Sequence, residues 1–439
     1  MYPVIIIAVI VCILLITTVL TNPVLPIGRF RIRIFYWIPP VIGVLALIIS
    51  GLLPLKTVWA GLTSAGSINP LKILVLFISM TTLSIFLDEA GLFSYLAGVA
   101  LKSARTSQTK LFLILFALVS VLTVFTSNDI IILTFTPFIC YFSKKAKIDP
   151  VPYLFGEFVA ANTWSMMLII GNPTNIYLAL AANVGFGSYT AHMAIPTVFA
   201  GIAALGMLLL IFKKQLSQPI NAENDTPKVR DKGMVVIGVI HLAICTVLLV
   251  ISSYVGWEMW YITLGFAVSL FICINLYKRI KKVRQPILRH TLSRAPWELI
   301  PFVLSMFLIV LSLEEYNVTT LICNLLGEAY PIWKYGAASF LSANIMNNIP
   351  MAVAFSSITS HLSDVALMPA SYASIIGSNL GAYFTPLGAL AGIMWAGILK
   401  KMSIPFSFKK YISYGVRISV PVLIAALAGL SLVFAIGGI

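Results

Sequence analysis

What most constrains this chain is a series of apolar stretches that recurs from one end to the other. Each is about 17 to 25 residues long, enough for a helix to cross the hydrocarbon core of a bilayer. Full spans are predicted near 3–21, 36–54, 71–87, 151–182, 190–212, 234–252, 257–277, 296–313, 370–399 and 414–436. The residues are 60% hydrophobic and only 10% charged, where a soluble domain is about 25% charged. This composition predicts an all-α polytopic membrane protein rather than a soluble enzyme with an anchor. The first run has no basic residue before it and no small-residue cleavage site after it, so it reads as a retained span.

Two further apolar segments do not fit a simple crossing. Residues 111–142 number 32, whereas one span needs about 20 residues and two need about 40. Asn128 and Asp129 sit at the middle of this segment. A re-entrant hairpin is predicted, two arms of about 22 Å entering and leaving on one side. Residues 335–362 share the design, with Asn347 and Asn348 at the tip. Charge supports the layout. With the arginines of "GRFRIRIF" (Arg29, Arg31, Arg33) placed in the cytoplasm, all 29 Lys and Arg except Lys56, Lys72 and Lys334 fall on that side. The N-terminus is then outside and the 213–232 loop cytoplasmic. The net charge of +15 lies in short loops between spans and reads as an orientation signal, not a nucleic-acid footprint. The five cysteines are scattered singly, with no disulfide or zinc spacing.

The two halves resemble each other. "LDEAGLFSYL" (87–96) parallels "LEEYNVTTLI" (313–322), the two hairpins parallel each other, and "IIGNPTNIYLA" (169–179) parallels "IIGSNLGAYFTPLGALA" (375–391), at spacings of 226, 219 and 206 residues. Residues 1–212 and 233–439 are predicted to be two repeats of five spans plus a re-entrant hairpin each, joined by the cytoplasmic linker 213–232. Five is odd, so the second repeat is expected to be inverted. Gly, Asn and Pro interrupt otherwise helical spans at 171–175 and 377–388, and broken helices at the centre of inverted repeats are a transporter pattern. Unwound backbone at that depth is tolerated only where it is buried or lines a cavity.

These breaks and tips define the predicted substrate and ion site: Asn128, Asp129, Asn172, Thr174, Asn175, Asn347, Asn348, Ser378, Asn379 and Thr385, with Asn162 two turns before the first break. Asp129 is the only acid at a hairpin tip. It can bind a proton or sodium, and a sodium site near it is one expectation; it can equally cap the second arm, as can Ser127 or Asn128. The asparagines can bind solute or satisfy loop backbone. Glu157, early in its span, reads as functional or as an interfacial or paired residue. The pairs Asp88–Glu89 and Glu314–Glu315 end spans, and 90–104 and 316–329 read as interfacial arms. No cofactor is expected.

The stretches "LDEAGLF", "NDIIILTFTP", "RAPWELI", "MNNIP" and "NLGAYFTPLGALAGIMW" resemble the bacterial arsenite efflux permeases (the ArsB family) of the ion transporter superfamily, over most of residues 70–435. The resemblance implies two inverted repeats, each with a re-entrant hairpin and a broken helix. It also implies proton-coupled export of arsenite and antimonite, with the family's Asn–Asp motif on Asn128 and Asp129. The family pattern has acids where Asn162 and Asn379 stand and "GPK" where Gly381–Tyr383 stand, while "GNPTN" is closer to relatives that carry sodium or organic anions.

Three transport functions therefore compete: export of arsenous acid, sodium-coupled uptake of carboxylates, and sodium/proton antiport. The coupling ion is a proton or sodium. The expected partners are a small inorganic or organic solute and the lipid bilayer of the inner (plasma) membrane, with a homodimer or a separate ATPase subunit possible and no nucleic acid. No HExxH motif, nucleophile–base pair or nucleotide-binding loop suggests an enzyme.

Overall fold

The structure is a computed structural model, and the residues it describes are 1–21, 24–27, 30–63, 69–104, 107–220, 229 and 231–437. Arg29 and Arg105 of the predicted cytoplasmic set, and residues 221–228 and 230 of the linker, lie outside the described residues.

The first half begins with α1 (Tyr2–Thr21), α2 (Ile38–Ile49), α3 (Leu55–Thr63), α4 (Pro70–Glu89) and α5 (Leu92–Ala104). It continues with α6 (Gln108–Phe125), α7 (Asn128–Ala146), α8 (Val151–Trp164), α9 (Pro173–Ala181) and α10 (Phe186–Ile211). A single turn, α11 (Lys213–Leu216), precedes the second half. That half holds α12 (Lys232–Val255), α13 (Met259–Lys281), α14 (Ile287–Arg294), α15 (Leu299–Glu315) and α16 (Val318–Leu326). It closes with α17 (Pro331–Met346), α18 (Asn348–Thr359), α19 (Asp364–Gly381), α20 (Leu390–Lys401) and α21 (Phe408–Ile436). Among the described residues, eight helices are long and apolar enough to cross a membrane.

The helix starts follow local chemistry. Asn69 caps α4, its side chain accepting from the Leu71 and Lys72 amides while Pro70 takes the first turn. Asp231 does the same for α12 with Gly233 and Met234. Each satisfies amides that a helix start leaves without a partner. Three elements were not anticipated. A short antiparallel hairpin, β1 (Val24–Ile27) and β2 (Phe30–Arg33), follows α1; α3 lies in a predicted loop, and α14 lies in the basic loop between spans. The all-α expectation holds for every candidate span.

The arms of the first hairpin are longer than expected. At 18 and 19 residues they measure about 27 and 28 Å, because α6 starts at Gln108 and α7 runs on to Ala146. Both outer ends meet Tyr153 at the start of α8. Its hydroxyl lies 3.3 Å from the Gln108 carbonyl and 3.1 Å from the Gln108 side-chain oxygen, and its ring lies 6.2 Å from Phe112 and 6.4 Å from Phe142. The pair thus starts and finishes at one end of the bundle. This is the end reached by the last turn of α10 and by α11, since Thr109 donates to the Leu216 carbonyl and Gln108 to that of Pro219.

The outer ends of α17 and α18 also meet each other. Glu328, before α17, accepts from the amide and hydroxyl of Ser363, after α18. Helices α10 and α21 run antiparallel, with Phe212 against Tyr414 at one end (5.0 Å) and His192 against Phe434 at the other (5.5 Å). Tyr372 of α19 stacks on His192 at 4.9 Å. The start of α19, and with it Ser363, is therefore at the end opposite the base of α6–α7.

The two broken spans are clear but displaced from their predicted positions. The first unwinds over 165–172, with a 3-10 turn at Ile169–Gly171, and the second over 382–389. Gly377 to Gly381 remain helical, so Ser378 and Asn379 sit on the last turn of α19 rather than in the break. Asn162 is likewise on the last turn of α8. Each break folds back on the helix it leaves. A Cβ on Gly171 would strike the Ser165 carbonyl, and one on Gly388 the Gly381 carbonyl, so a side chain at either position would push the loop away.

Candidate functional site

At the tip of the first hairpin, Thr126 and Ser127 are extended and α7 begins at Asn128. Ser127 is the N-cap by backbone position but makes no side-chain cap bond. Instead the Asn128 side-chain oxygen accepts from the Asp129 backbone amide (2.9 Å), and the Asn128 NH2 donates to the Asn162 side-chain oxygen (3.0 Å). Asn162 donates in turn to the Phe158 carbonyl. The predicted tip residue and the predicted span residue are thus in direct contact.

Ser165, the first residue of the break, extends this chain into the second half. Its hydroxyl lies 2.9 Å from both the Asn162 carbonyl and the Asn379 side-chain oxygen. Asn379 is the hub. Its oxygen also accepts from Asn172 at 3.0 Å, and its NH2 donates to Asn175 at 2.7 Å and to the Ile375 carbonyl at 2.9 Å. All four hydrogen-bonding positions of that amide are used. Asn175 donates to the carbonyls of Ser165 and Leu168 and so holds the first break in shape. Asn172 caps α9 at Thr174. Thr163 and Tyr383 share a hydrogen bond of 3.2 Å, a second tie between the halves.

The second tip forms a separate cluster. Asn347 stands at φ 77°, ψ 156°, a region that is almost exclusively glycine's and costs other residues about 1–3 kcal/mol. Its side chain donates to the Leu387 carbonyl in the second break. Asn344, one turn earlier, accepts from both the amide and the hydroxyl of Thr385. Asn348 begins α18, buried, in the place Asn128 holds on α7.

The structure therefore brings Asn128, Asn162, Asn172, Asn175 and Asn379 into one buried network, and Asn347 and Thr385 into a second. Two hydroxyls beside the first network, Thr174 and Ser378, are buried without a hydrogen-bond partner. Asp129 is only half-buried, lies within electrostatic reach of Tyr36, and has no ion pair among the described residues. No Lys or Arg contributes to either network. The residues that sequence reasoning missed are Ser165, Thr163, Asn344 and Tyr383. Ser165 and Thr163 were masked by the apolar run around them. Asn344 had a usable signal, since it lies three residues before Asn347 on the same helix. Elsewhere Arg294 of α14 reaches both Asp88 and Glu89 at the end of α4, at 2.7 and 2.6 Å, which gives that acidic pair a structural role.

Comparisons with known proteins agree on the kind of molecule. A family profile described as "CitMHS: Citrate transporter" matches residues 13–377. The chain is 29% identical over 383 residues to an arsenical pump membrane protein of Yersinia enterocolitica, covering 81% of this chain and 85% of that one. It is 27% identical over 373 residues to one of Escherichia coli K12, with the same coverage. A putative arsenical pump membrane protein of Bacillus subtilis is 24% identical, over 77% of this chain and 82% of its own. Among solved structures, MtrF of Neisseria gonorrhoeae, described within a class of antimetabolite efflux pumps, superposes with a TM-score of 0.51 at 15% identity, covering 98% of this chain and 94% of that one. The last likeness is one of fold alone.

Proposed function

This chain belongs to the CitMHS (citrate transporter) family, and from that premise we propose that it is a secondary active transporter of the inner (plasma) membrane that exports arsenite and antimonite in exchange for protons. It is a membrane transporter and a divergent relative of the arsenical pump membrane proteins. The observation that carries the substrate is the neutrality of the site. Amides and hydroxyls from both halves meet there, and Asp129 is the only charge on the predicted residues. Arsenous acid is uncharged and presents hydroxyls, which amide and hydroxyl groups can both donate to and accept from. The unpartnered Thr174 and Ser378 hydroxyls are available to it. Asp129 serves as the proton carrier. A fixed charge at that depth costs about 2.5–3.5 kcal/mol on insertion scales, so binding a proton eases its passage between aqueous sides.

We read the two halves as inverted repeats. In support, the bases of α6–α7 and α17–α18 lie at opposite ends of the bundle, and equivalent asparagines begin the inner arms and close the helices before each break. Such an arrangement can open the central site to either side in turn. The distribution of basic residues favours a cytoplasmic 213–232 loop and an external N-terminus.

A second reading, sodium-coupled uptake of a carboxylate, is favoured by the family's description. An anion would need helix N-termini and a bound cation there. Purified protein in proteoliposomes decides between them. Arsenite movement driven by an imposed pH gradient is expected. Sodium-dependent citrate uptake without arsenite movement would replace the first reading with the second.

A further inference from the structure

Glu157 is the most enclosed acid of the described residues, at 3% exposure, and it lies apart from the amide network. It sits on α8 one turn beyond Tyr153, hence about 6 Å from the end of the bundle where α6 begins. Its nearest polar partner is one hydroxyl, that of Thr136 on α7, at 3.0 Å from one carboxyl oxygen and 3.1 Å from the other. The indole of Trp395 on α20 lies alongside, its N–H near enough to act on the carboxyl but outside hydrogen-bonding geometry. Phe158 and Tyr411 close around that ring at 5.4 and 5.7 Å.

Two facts about this pocket bear on the charge of the carboxyl. First, among the described residues no cation faces it. The titratable groups on its own helix and on the elements packed around it are the Cys140 thiol and Tyr141 phenol on α7 and the phenols of Tyr153, Tyr189, Tyr372, Tyr383, Tyr411 and Tyr414. The charged groups are Lys110 on α6, Asp129, Lys144 and Lys145 on α7, Asp364 on α19, Lys400 and Lys401 on α20, and Lys409 and Lys410 at the start of α21; Arg417, further along α21, is held by Ser413, and the His192 imidazole is on α10. A buried carboxylate without a paired charge is strongly disfavoured. Second, a single hydroxyl has one proton, so it can serve only one oxygen of a carboxylate. A neutral acid supplies the second proton: Thr136 donates to one oxygen and the acid O–H donates back to Thr136. Both short contacts are then hydrogen bonds.

We propose that Glu157 is a second proton-carrying site, distinct from Asp129, at the seam where α7 and α8 of the first half meet α20 of the second. The proton enters as the carboxylate becomes a neutral acid and leaves as the carboxylate re-forms; no other bond changes. With the proton bound the seam closes as observed. Proton loss places an unpaired charge between three packed helices, which favours a conformation that admits water, and the short path to Tyr153 places that opening at the end where α6 begins. The carrier role rests on the transporter reading given above, whereas proton occupancy does not.

The test separates the two. Infrared difference spectra of the purified protein, taken between H2O and D2O, should show a protonated-carboxyl C=O band that survives Asp129→Asn and is lost in Glu157→Gln. Gln keeps the volume and can still accept from Thr136. If that variant fails to accumulate, Thr136→Ala should shift the same band by removing the acid's partner. A band unaffected by both Glu157→Gln and Thr136→Ala, or the absence of any band, would overturn the proposal. In proteoliposomes carrying a pH-sensitive dye, Glu157→Gln should lower the protons moved per solute while solute exchange continues. Unchanged proton movement per solute would remove the carrier role, and so would a wild-type protein that moves no protons with arsenite or citrate.

Discussion

Asn379→Asp is the most informative single substitution, because the wild-type amide uses all four of its hydrogen-bonding positions. Its orientation is fixed by the Ile375 carbonyl, which can only accept, so NH2 faces Ile375 and Asn175 while the oxygen faces Ser165 and Asn172. A neutral carboxyl keeps both bonds on the oxygen side and can donate its single proton to Asn175. It loses only the extra bond to Ile375, a change of about 1 kcal/mol or less. An ionised carboxyl sets an oxygen against the Asn175 oxygen at the 2.7 Å spacing with no proton between them. Rotating the Asn175 amide relieves this contact only by abandoning the carbonyls of Ser165 and Leu168, which hold the break. An orphaned buried acceptor costs about 1–3 kcal/mol, and an uncompensated buried charge about 3–5 kcal/mol. The variant should therefore unfold close to wild type in acid, where the carboxyl is protonated, and fall progressively below it as pH rises. Transport should shift toward low pH with it. Thermal melts of the purified protein, followed by tryptophan fluorescence across pH, read the difference directly. Parallel curves for variant and wild type at every pH would refute the inference that this amide is committed to the network.

Three further outcomes follow from the geometry. Asp129→Asn keeps the shape of a half-buried side chain that makes no ion pair among the described residues, so melting should stay within about 1 kcal/mol of wild type while gradient-driven transport is lost; retained concentrative transport would remove Asp129 from coupling. In a cysteine-free background, single cysteines at Lys110 and Lys144 should label from the same side of the membrane, since both ends of the α6–α7 pair meet Tyr153, and opposite-side labelling would contradict the hairpin. Asn347→Gly should be more stable than Asn347→Ala by about 1–3 kcal/mol, because both lose the bond to Leu387 but only glycine relieves the backbone; equal stabilities would mean the position is unstrained.

Much of the fold was legible because a bilayer leaves few choices. Apolar length placed the spans, and α4, α10, α12, α13 and α21 begin and end near the predicted bounds. Polar residues in the middle of apolar runs marked the tips, and Gly, Asn and Pro marked the breaks. Boundaries at the breaks were less legible. The first unwinds at Ser165, inside "TWSMMLII", where every neighbour suits a helix; the cause is tertiary, the Asn175 side chain taking the Ser165 and Leu168 carbonyls from the chain. The second holds its helix through "GSNLG" because α19 packs closely on α17. A Cβ at Gly377 would overlap the Ser339 side chain and the Gly336 carbonyl, so glycine there serves close approach rather than unwinding. Sequence position suggested breaks wherever glycine and asparagine cluster, whereas the packing partner decides which of them stay helical.

The same distinction applies to the asparagines. Read from the sequence, six of them at tips and breaks looked like one ring around a solute. In the structure they divide by what their amides already do. Asn379, Asn172 and Asn175 spend their hydrogen bonds on one another and on Ser165, across the boundary between the halves, so their first effect is to fix how one half seats on the other. Asn347 and Asn344 clamp the second tip to the second break through Leu387 and Thr385. Among the predicted residues the groups left with capacity are few: Asp129, half-buried, and the buried hydroxyls of Thr174 and Ser378. A solute that enters here must either use those groups or displace an amide from its partner. Displacing one loosens the tie between the halves, so binding and relative movement of the two halves become linked through the same hydrogen bonds. A neutral hydroxyl-bearing solute can replace an amide's donor and acceptor alike, whereas an anion can replace only the acceptor. On the proposed function, the exchange of partners at Asn379 would therefore discriminate arsenous acid from a carboxylate without any basic residue at the site.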